Sequence, residues 1–389
     1  MPNLQYHWYR ITPLHLILLP VSLLFRALVA LRRALYRSSI LQSHQLAVPV
    51  IVIGNISAGG TGKTPLTLAL AQQLAGRGWH PLIVSRGYGG TAQQPQQVNA
   101  DSDARQVGDE PLLMARRNLC PVWIGKDRAA AAQAALQAHP QCDVVLCDDG
   151  LQHYRLRREA EVAVVDGERG IGNGFMLPAG PLREPVSRLK TVDAVVVNGV
   201  QSPSPASGGG ERGVEHKTGF ESARPPSSPT LPPLAGEGSK TAASRIESGT
   251  RGLPGSAQAA INAYQYEMRL SGEVFYNLLA PDKTAAAGHF HALNNHAVAG
   301  IGHPQRYFRH LQSLGVPFTP HAFPDHHSYS ANDLAFAGCD ALLLTEKDAV
   351  KCAAFADERY WVLRVEAQID PALVDHLLRK IEFHGRKTA

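Results

Sequence analysis

The sequence predicts an α/β fold built on a mostly parallel sheet with helices on both faces, and three observations carry that prediction. Short β-branched runs alternate with helix-forming stretches through residues 46–200. Several of these runs are apolar at nearly every position, as strands covered on both faces must be. The chemistry-bearing residues follow the runs, at what become the carboxyl ends of strands, where ligands of such sheets bind.

Composition bounds the rest. At 389 residues the chain is long enough for two domains with their own cores. A hydrophobic share of 44% with 18% charged residues describes a globular protein. The net charge of +5 suits an anionic partner without choosing among nucleotide, phospholipid surface and nucleic acid. Five cysteines, odd in number and with no CxxC pair, argue against a zinc site or a disulfide framework and for a reducing compartment.

Residues 1–45 are apolar and basic. No charged residue occurs from Ile11 to Phe25, and Arg26, Arg32, Arg33 and Arg37 follow. That run is shorter than the ~20 residues of a spanning helix, and His15 and Pro20 interrupt it. Leu14, Ile17, Leu18, Val21, Leu24, Phe25 and Leu28 recur at helical spacing, which predicts an amphipathic helix in the membrane interface with arginines toward anionic headgroups. The arginines follow the apolar run, whereas a secretory signal places them before it.

Val48–Ile53 reads as a buried strand and Leu66–Leu74 as a helix, with a glycine-rich turn between them. Strand, turn and helix make the context of a phosphate loop, in which Ser57, Ala58, Gly59, Gly60, Thr61, Gly62, Lys63 and Thr64 surround a triphosphate. Backbone amides and the helix N-terminus face the phosphates, Lys63 reaches the β/γ oxygens and Thr64 offers its hydroxyl to Mg²⁺. Ser57 stands where the usual pattern has glycine. Pro65 is tolerated because the first helical turn has no acceptor for the missing N–H. The fold is therefore expected to be P-loop NTPase-like.

A strand at His80–Ser85 and the turn Arg86–Gly90 come next, then a polar surface loop over residues 91–106. Val107-Gly-Asp-Glu-Pro111 sets Asp109 and Glu110 at the opening of a helix, where acidic residues suit the dipole. Pro121–Gly125 is a strand, with Lys126-Asp-Arg128 at its end and an alanine-rich helix over 129–138. The strand from Cys142 ends in Asp148 and Asp149, the position at which phosphate-loop proteins hold their metal. Gln152, His153 and Tyr154 then lead into the basic turn of Arg155, Arg157 and Arg158. Strands at 161–166 and 192–198 flank a long loop, 170–185. Residues 201–257 turn abruptly to Ser, Pro and Gly and read as a dispensable disordered insertion. Residues 258–389 read as a smaller α/β domain, with strand-like runs at 264–270, 274–279, 341–348 and 360–365 and a strand and turn over 296–304 before a helix at 305–314. Its Asp325-His-His327 segment precedes a helix capped near Ser330.

GNISAGGTGKTP, SRGYGG, VGDEP, GKDR, CDDGLQHY, GNGFMLPAGPLREP, FPDHHSY and LTEKD occur here in one order behind the apolar basic N-terminus. Together they resemble the tetraacyldisaccharide 4′-kinase family of lipid A biosynthesis, from the N-terminus to beyond residue 350. The resemblance implies an ATP-dependent kinase that phosphorylates the 4′-hydroxyl of a tetraacyldisaccharide 1-phosphate, with ATP as substrate and Mg²⁺ as cofactor. It also implies work at the cytoplasmic face of the inner membrane, as a peripheral or monotopic protein with a lipid disaccharide partner, no nucleic acid and no obligate protein partner. By the same resemblance Asp109 is the base, His326 its partner and Lys63 the cation on the transferred phosphoryl. Thr64, Glu110, Asp149 and Asp148 then surround Mg²⁺, and Arg128, Gln152 and His153 lie near the nucleotide or the lipid headgroup.

Other classes fit less well. A partner-regulated membrane ATPase switch would carry its signature lysine at Ala58. A GTP-binding protein would not read Thr345-Glu-Lys-Asp348 at its guanine motif. Nucleic-acid binding is disfavoured because the basic residues cluster at the apolar N-terminus without interleaved aromatics.

Overall fold

Val50–Gly54 (β1) is buried at every position and lies in the middle of the main sheet. The computed structural model describes residues 7–10, 12–199 and 264–385, all within one compact unit. The insertion expected at 201–257 lies outside the described residues. β1 pairs in parallel with β5 (Val144–Cys147) on one side and β6 (Ala160–Asp166) on the other. The remaining strands are β2 (Pro81–Ser85), β3 (Gln96–Val98), β4 (Val122–Ile124), β7 (Ala194–Asn198), β8 (Tyr264–Ser271) and β15 (Glu366–Ile369). Their order is β15-β8-β7-β6-β1-β5-β2-β4-β3, parallel throughout except for the antiparallel edge pairs β3–β4 and β15–β8.

Alternation along β1 explains why both faces need helices. Ile51 and Ile53 join a core with Leu66, Leu70 and Leu74 of α2 (Lys63–Ala75), Leu112 and Met114 of α4 (Asp109–Arg116), and Leu373 and Leu377 of α8 (Pro371–Gly385). Val50 and Val52 point the other way, into a core with Ala131, Ala132 and Ala135 of α5 (Arg128–Ala138). Each fully buried Leu or Ile is worth about 1.5–3 kcal/mol, so the sheet is held from both sides.

The polar stretch 91–106 is not the plain surface loop expected. It holds β3 and the single turn α3 (Ala104–Val107), because the buried Val98 and Val107 anchor it and Asp103 caps the turn by accepting from the Arg105 N–H. The boundary expected at residue 258 does not divide the sheets either, since β8 and β15 both extend the main sheet. The second sheet runs β10-β9-β14-β13-β11-β12, from β9 (Val274–Asn277), β10 (Thr284–Ala286), β11 (Asn295–Ala299), β12 (Thr319–Ala322), β13 (Ala341–Thr345) and β14 (Tyr360–Leu363). It carries α6 (Pro304–Ser313) and α7 (Glu346–Cys352). The helix expected near Ser330 is one 3-10 turn, Ala331–Leu334, closed by a Ser330–Asp333 capping box. Arg306 to Asp166 at 2.9 Å and Arg309 to Glu168 at 2.7 Å tie α6 to the carboxyl end of β6.

The N-terminal helix α1 (Leu14–Arg37) is longer than its charge-free run. Its 24 residues run on through Pro20, so it is long and apolar enough to cross a membrane by length and composition, beyond what the charge-free run suggested. Two of its polar residues face the protein: the Ser22 hydroxyl donates to the Met176 carbonyl at 2.8 Å, and His15 packs beside Asn173. Phe25 and Val29 also pack inward, while Leu16, Ile17, Val21, Leu24, Leu28 and Leu31 are all more than half exposed. A contiguous apolar face of this kind marks a surface made for something other than water.

Candidate active site

The phosphate loop bridges β1 and α2, and its shape comes from two glycines in conformations that side chains avoid, Gly59 at φ +106° and Gly62 at φ +95°. A Cβ on Gly62 would also run into the Asn198 amide and lie 2.9 Å from Met268 Cε. Asn55 and Asn198 brace the loop, the latter donating to the Thr61 carbonyl at 2.9 Å. Ala58 donates its N–H to the Pro181 carbonyl at 2.7 Å and Ser57 bridges Leu182, so the loop leans on the long segment after β6. Gly59 and Gly60 are exposed, and Lys63 and Thr64 open α2 half-buried beside them.

β5 delivers the strand-terminal pair to this loop. Asp148 is fully buried and accepts from Thr67 and Ser85, each at 3.3 Å. Burial, then the charge of Glu110, pushes its carboxyl up to about 7 against the pull of Lys63. Burial acts on Asp149 in the same sense, but Lys63 at 3.5 Å, Arg183 at 3.3 Å and Arg128 outweigh it and hold that carboxyl below its usual value. Asp149 also adopts φ +47°, a conformation that costs a non-glycine residue of order 1–3 kcal/mol and tends to persist at functional sites.

The second sheet closes the site. His326, itself at φ +60°, places Nδ1 3.4 Å from Asp109 Oδ2. Lys347 lies 3.3 Å from Glu110, 3.2 Å from Asp325 and 3.3 Å from His326 Nε2. Burial alone would lower the Lys347 pKa, but Glu110 and Asp325 raise it, so it is a cation. Lys351 spans Asp348 at 3.1 Å and Asp109 at 3.7 Å. This cluster adjoins the phosphate loop, because a Cβ on Gly302 would sit 3.3 Å from both Gly60 N and Asp325 Oδ2. The structure thus brings together Lys63, Asp148 and Asp149 on one side and Asp109, Glu110 and His326 on the other.

Arg128 and Gln152 are engaged with the protein, whereas His153 Nε2 is buried without a hydrogen-bond partner, 3.7 Å from Asp127. Arg128 is buried and donates to the Asp149 carbonyl at 3.1 Å, steadying the strained residue. Gln152 donates to the Asn55 carbonyl at 2.9 Å. Burial, then Arg128, pulls the His153 pKa down to about 4. The unfolded chain therefore takes up a proton near pH 6.5 that the fold refuses until about pH 4, so the stability due to neutral His153 is lost as pH falls through that window. Melting temperatures followed across it should fall less steeply in His153→Gln than in the wild type; parallel curves would sink the assignment.

Among the described residues no group of three or more His, Cys, Asp or Glu side chains could hold a metal by itself. Yet Glu110 and Asp149 both raise the Asp148 pKa, a mutual repulsion that a cation would relieve, and the Thr64 hydroxyl stands at the start of α2 nearby. That donor set fits a hard divalent ion that takes its other ligands from phosphate oxygens and water. Sequence reasoning assigned no role to Lys347, Lys351, Asp325 or Arg183. Each sits inside a quoted motif, LTEKD, FPDHHSY or PLREP, or one turn beyond it, and that placement was the available signal.

What this arrangement offers is cations placed for phosphates beside a paired carboxylate and histidine, and positioning with charge stabilisation is most of what phosphoryl transfer asks of a protein. Fold and site define a P-loop kinase. The family model described as tetraacyldisaccharide-1-P 4′-kinase matches residues 14–382. A tetraacyldisaccharide 4′-kinase of Azoarcus sp. strain BH72 is 44% identical over 389 residues, covering 100% of this chain and 98% of its own. Another, of Methylobacillus flagellatus, is 42% identical and covers 97% of this chain and 95% of its own. The crystal structure of the "apo" form of LpxK from Aquifex aeolicus in complex with ATP superposes with a TM-score of 0.68 at 24% identity, covering 95% of this chain and 99% of that one. The chain belongs to the tetraacyldisaccharide-1-P 4′-kinase family.

Proposed function

We propose that this chain, as a tetraacyldisaccharide 4′-kinase of lipid A biosynthesis, uses Asp109 as the base that takes the proton of the 4′-hydroxyl while that oxygen attacks the γ-phosphate of ATP. The observation that carries this reading is the contact between Asp109 and His326, 217 residues apart in sequence, beside the phosphate loop. A sugar hydroxyl is a weak nucleophile at neutral pH, so proton removal must accompany attack. With Lys347 donating to Nε2, the His326 Nδ1–H faces Asp109, which orients the carboxylate and steadies its charge. Lys63 neutralises the transferred phosphoryl. Thr64, Glu110, Asp148 and Asp149 would hold Mg²⁺, which supplies charge neutralisation on the phosphates when bound. A partner-regulated ATPase switch has no support from the family relationship.

The test is transfer of label from γ-³²P-ATP to purified tetraacyldisaccharide 1-phosphate in detergent micelles. Labelled lipid is expected; folded protein that hydrolyses ATP without labelling the lipid overturns the reading.

The exposed face of α1 supports work at the membrane surface, on the cytoplasmic side where ATP is. Four acyl chains leave the bilayer only at ~0.8 kcal/mol per CH₂, so the enzyme goes to the lipid. Leu24 and Leu28 are 61% and 56% exposed, so Leu24→Asp with Leu28→Asp is expected to leave the fold intact. The double variant should lose at least ~10²-fold in partition to vesicles. Unchanged flotation would overturn the placement of α1.

A further inference from the structure

The C-terminal end of α1 and the turn after His153 enclose a cleft of about 200 Å³ lined by Arg33, Tyr36, Arg37, Tyr154, Arg157 and Arg158. It is smaller than the ~300–1,000 Å³ of an ordinary ligand pocket, so it suits one headgroup and no more. No carboxylate lines it. Arg158 is already committed, to Glu161 at 3.0 Å and to the Leu151 and Leu156 carbonyls, and forms a fixed wall. Tyr154 is fixed likewise by its hydroxyl on Glu184, with the Tyr36 ring 5.9 Å from its own.

Arg33, Arg37 and Arg157 differ from Arg158. Among the described residues no carboxylate lies within ion-pair distance of any of the three. Burial, then the neighbouring charge of Arg188, lowers the Arg33 pKa, and Arg37 adds to that repulsion beyond what Glu184 and Glu161 relieve. A cleft that gathers like charges and leaves three of its arginines without an ion-pair partner suits an anion. Guanidinium forks match phosphate oxygens two at a time. The cleft also lies one turn beyond Leu31, the last exposed large apolar residue of α1, and hence at headgroup level if that face is in the bilayer.

We infer that this cleft is a second anion site, distinct from the phosphate loop, which grips a phosphate carried by a lipid at the membrane surface. The inference rests on the membrane placement of α1 proposed above. Two sources share this chemistry: the diester of an anionic phospholipid, and the 1-phosphate of the lipid substrate. Either would orient the enzyme so that the Asp149–His153 turn, which continues into the cleft at Tyr154, faces the lipid sugar.

The test compares two charge-matched double variants of the full chain. Arg37→Gln with Arg157→Gln removes two exposed arginines of the cleft; Arg26→Gln with Arg32→Gln removes two exposed arginines of α1 outside it. Flotation is measured on phosphatidylcholine vesicles with and without phosphatidylglycerol, and KM for the lipid substrate in neutral detergent micelles. If the source is bulk lipid, the cleft variant loses the gain from phosphatidylglycerol by about tenfold or more, and the outside variant several-fold less. If the source is the substrate, KM rises by about tenfold or more in the cleft variant alone, well beyond any fall in kcat. Equal losses in both variants, or no loss in either assay, would overturn the site. Wild-type protein that ignores pure phosphatidylcholine would overturn the membrane placement alone, and the KM comparison would still decide the cleft.

Discussion

Asp109→Asn is expected to lower kcat for lipid phosphorylation by roughly 10²–10⁴, with KM for ATP little changed. Asn keeps the shape of the side chain at the start of α4 but cannot accept the proton. The fold should tolerate the change, because Lys351 keeps Asp348 at 3.1 Å and Asp348 is further held by Thr345 at 2.7 Å and the Gly300 N–H at 3.0 Å. The phosphate loop is built from residues the change does not touch, so nucleotide affinity is preserved. His326→Gln should cost less, since Asp109 keeps Lys351 at 3.7 Å. Label transfer from γ-³²P-ATP, with a thermal melt to check folding, decides it: a folded Asp109→Asn enzyme with wild-type kcat would remove Asp109 as the base.

The two halves of the site differ in how far residue patterns alone reveal them. A phosphate loop announces itself because its strand, turn and helix are consecutive, and Asp148 and Asp149 end a strand whose apolar run is unmistakable. Local sequence suffices where chemistry and backbone lie within one βα unit. The Asp109–His326 contact is different: 217 residues separate the partners, and only the family resemblance joins VGDEP to DHHSY. Lys347, at the end of a run that reads as a strand, and Lys351 just beyond it show the same limit, having no evident partner until α7 is packed against α4. Tertiary packing also decides the fate of β8. Its alternating Tyr264–Leu270 reads as a strand, but nothing local says that it pairs with β7 in the first sheet. In α1 the helical period is legible in the sequence, and so is its apolar face; what is not legible is that His15 and Ser22 find hydrogen-bond partners on the 173–176 segment and so fix which side turns outward.

Lys63→Met should be as damaging, through a different part of the cycle. Lys63 rests 3.5 Å from Asp149, and with Arg183 and Arg128 it keeps that carboxylate ionised against its burial. An incoming triphosphate must draw the ammonium away from Asp149. The same movement leaves that carboxylate free to serve the cation the phosphates bring, so nucleotide capture and preparation of the carboxylate are one event. Met keeps the stem and the helix propensity of α2, and Asp149 keeps Arg183 at 3.3 Å, so the nucleotide-free protein should melt close to the wild type. Losing a cation aimed at the transferred phosphoryl costs about 10²–10³ in kcat, and KM for ATP should rise with it. The sharper readout is the melt with and without ATP. Wild-type protein should gain stability from the nucleotide and Lys63→Met should gain much less. If the variant keeps the full ATP-dependent gain and loses only kcat, Lys63 acts on the transition state alone and the exchange with Asp149 is not part of binding. If it keeps both, the phosphoryl charge is carried elsewhere, and Arg183, the other cation on Asp149, is the residue to change next.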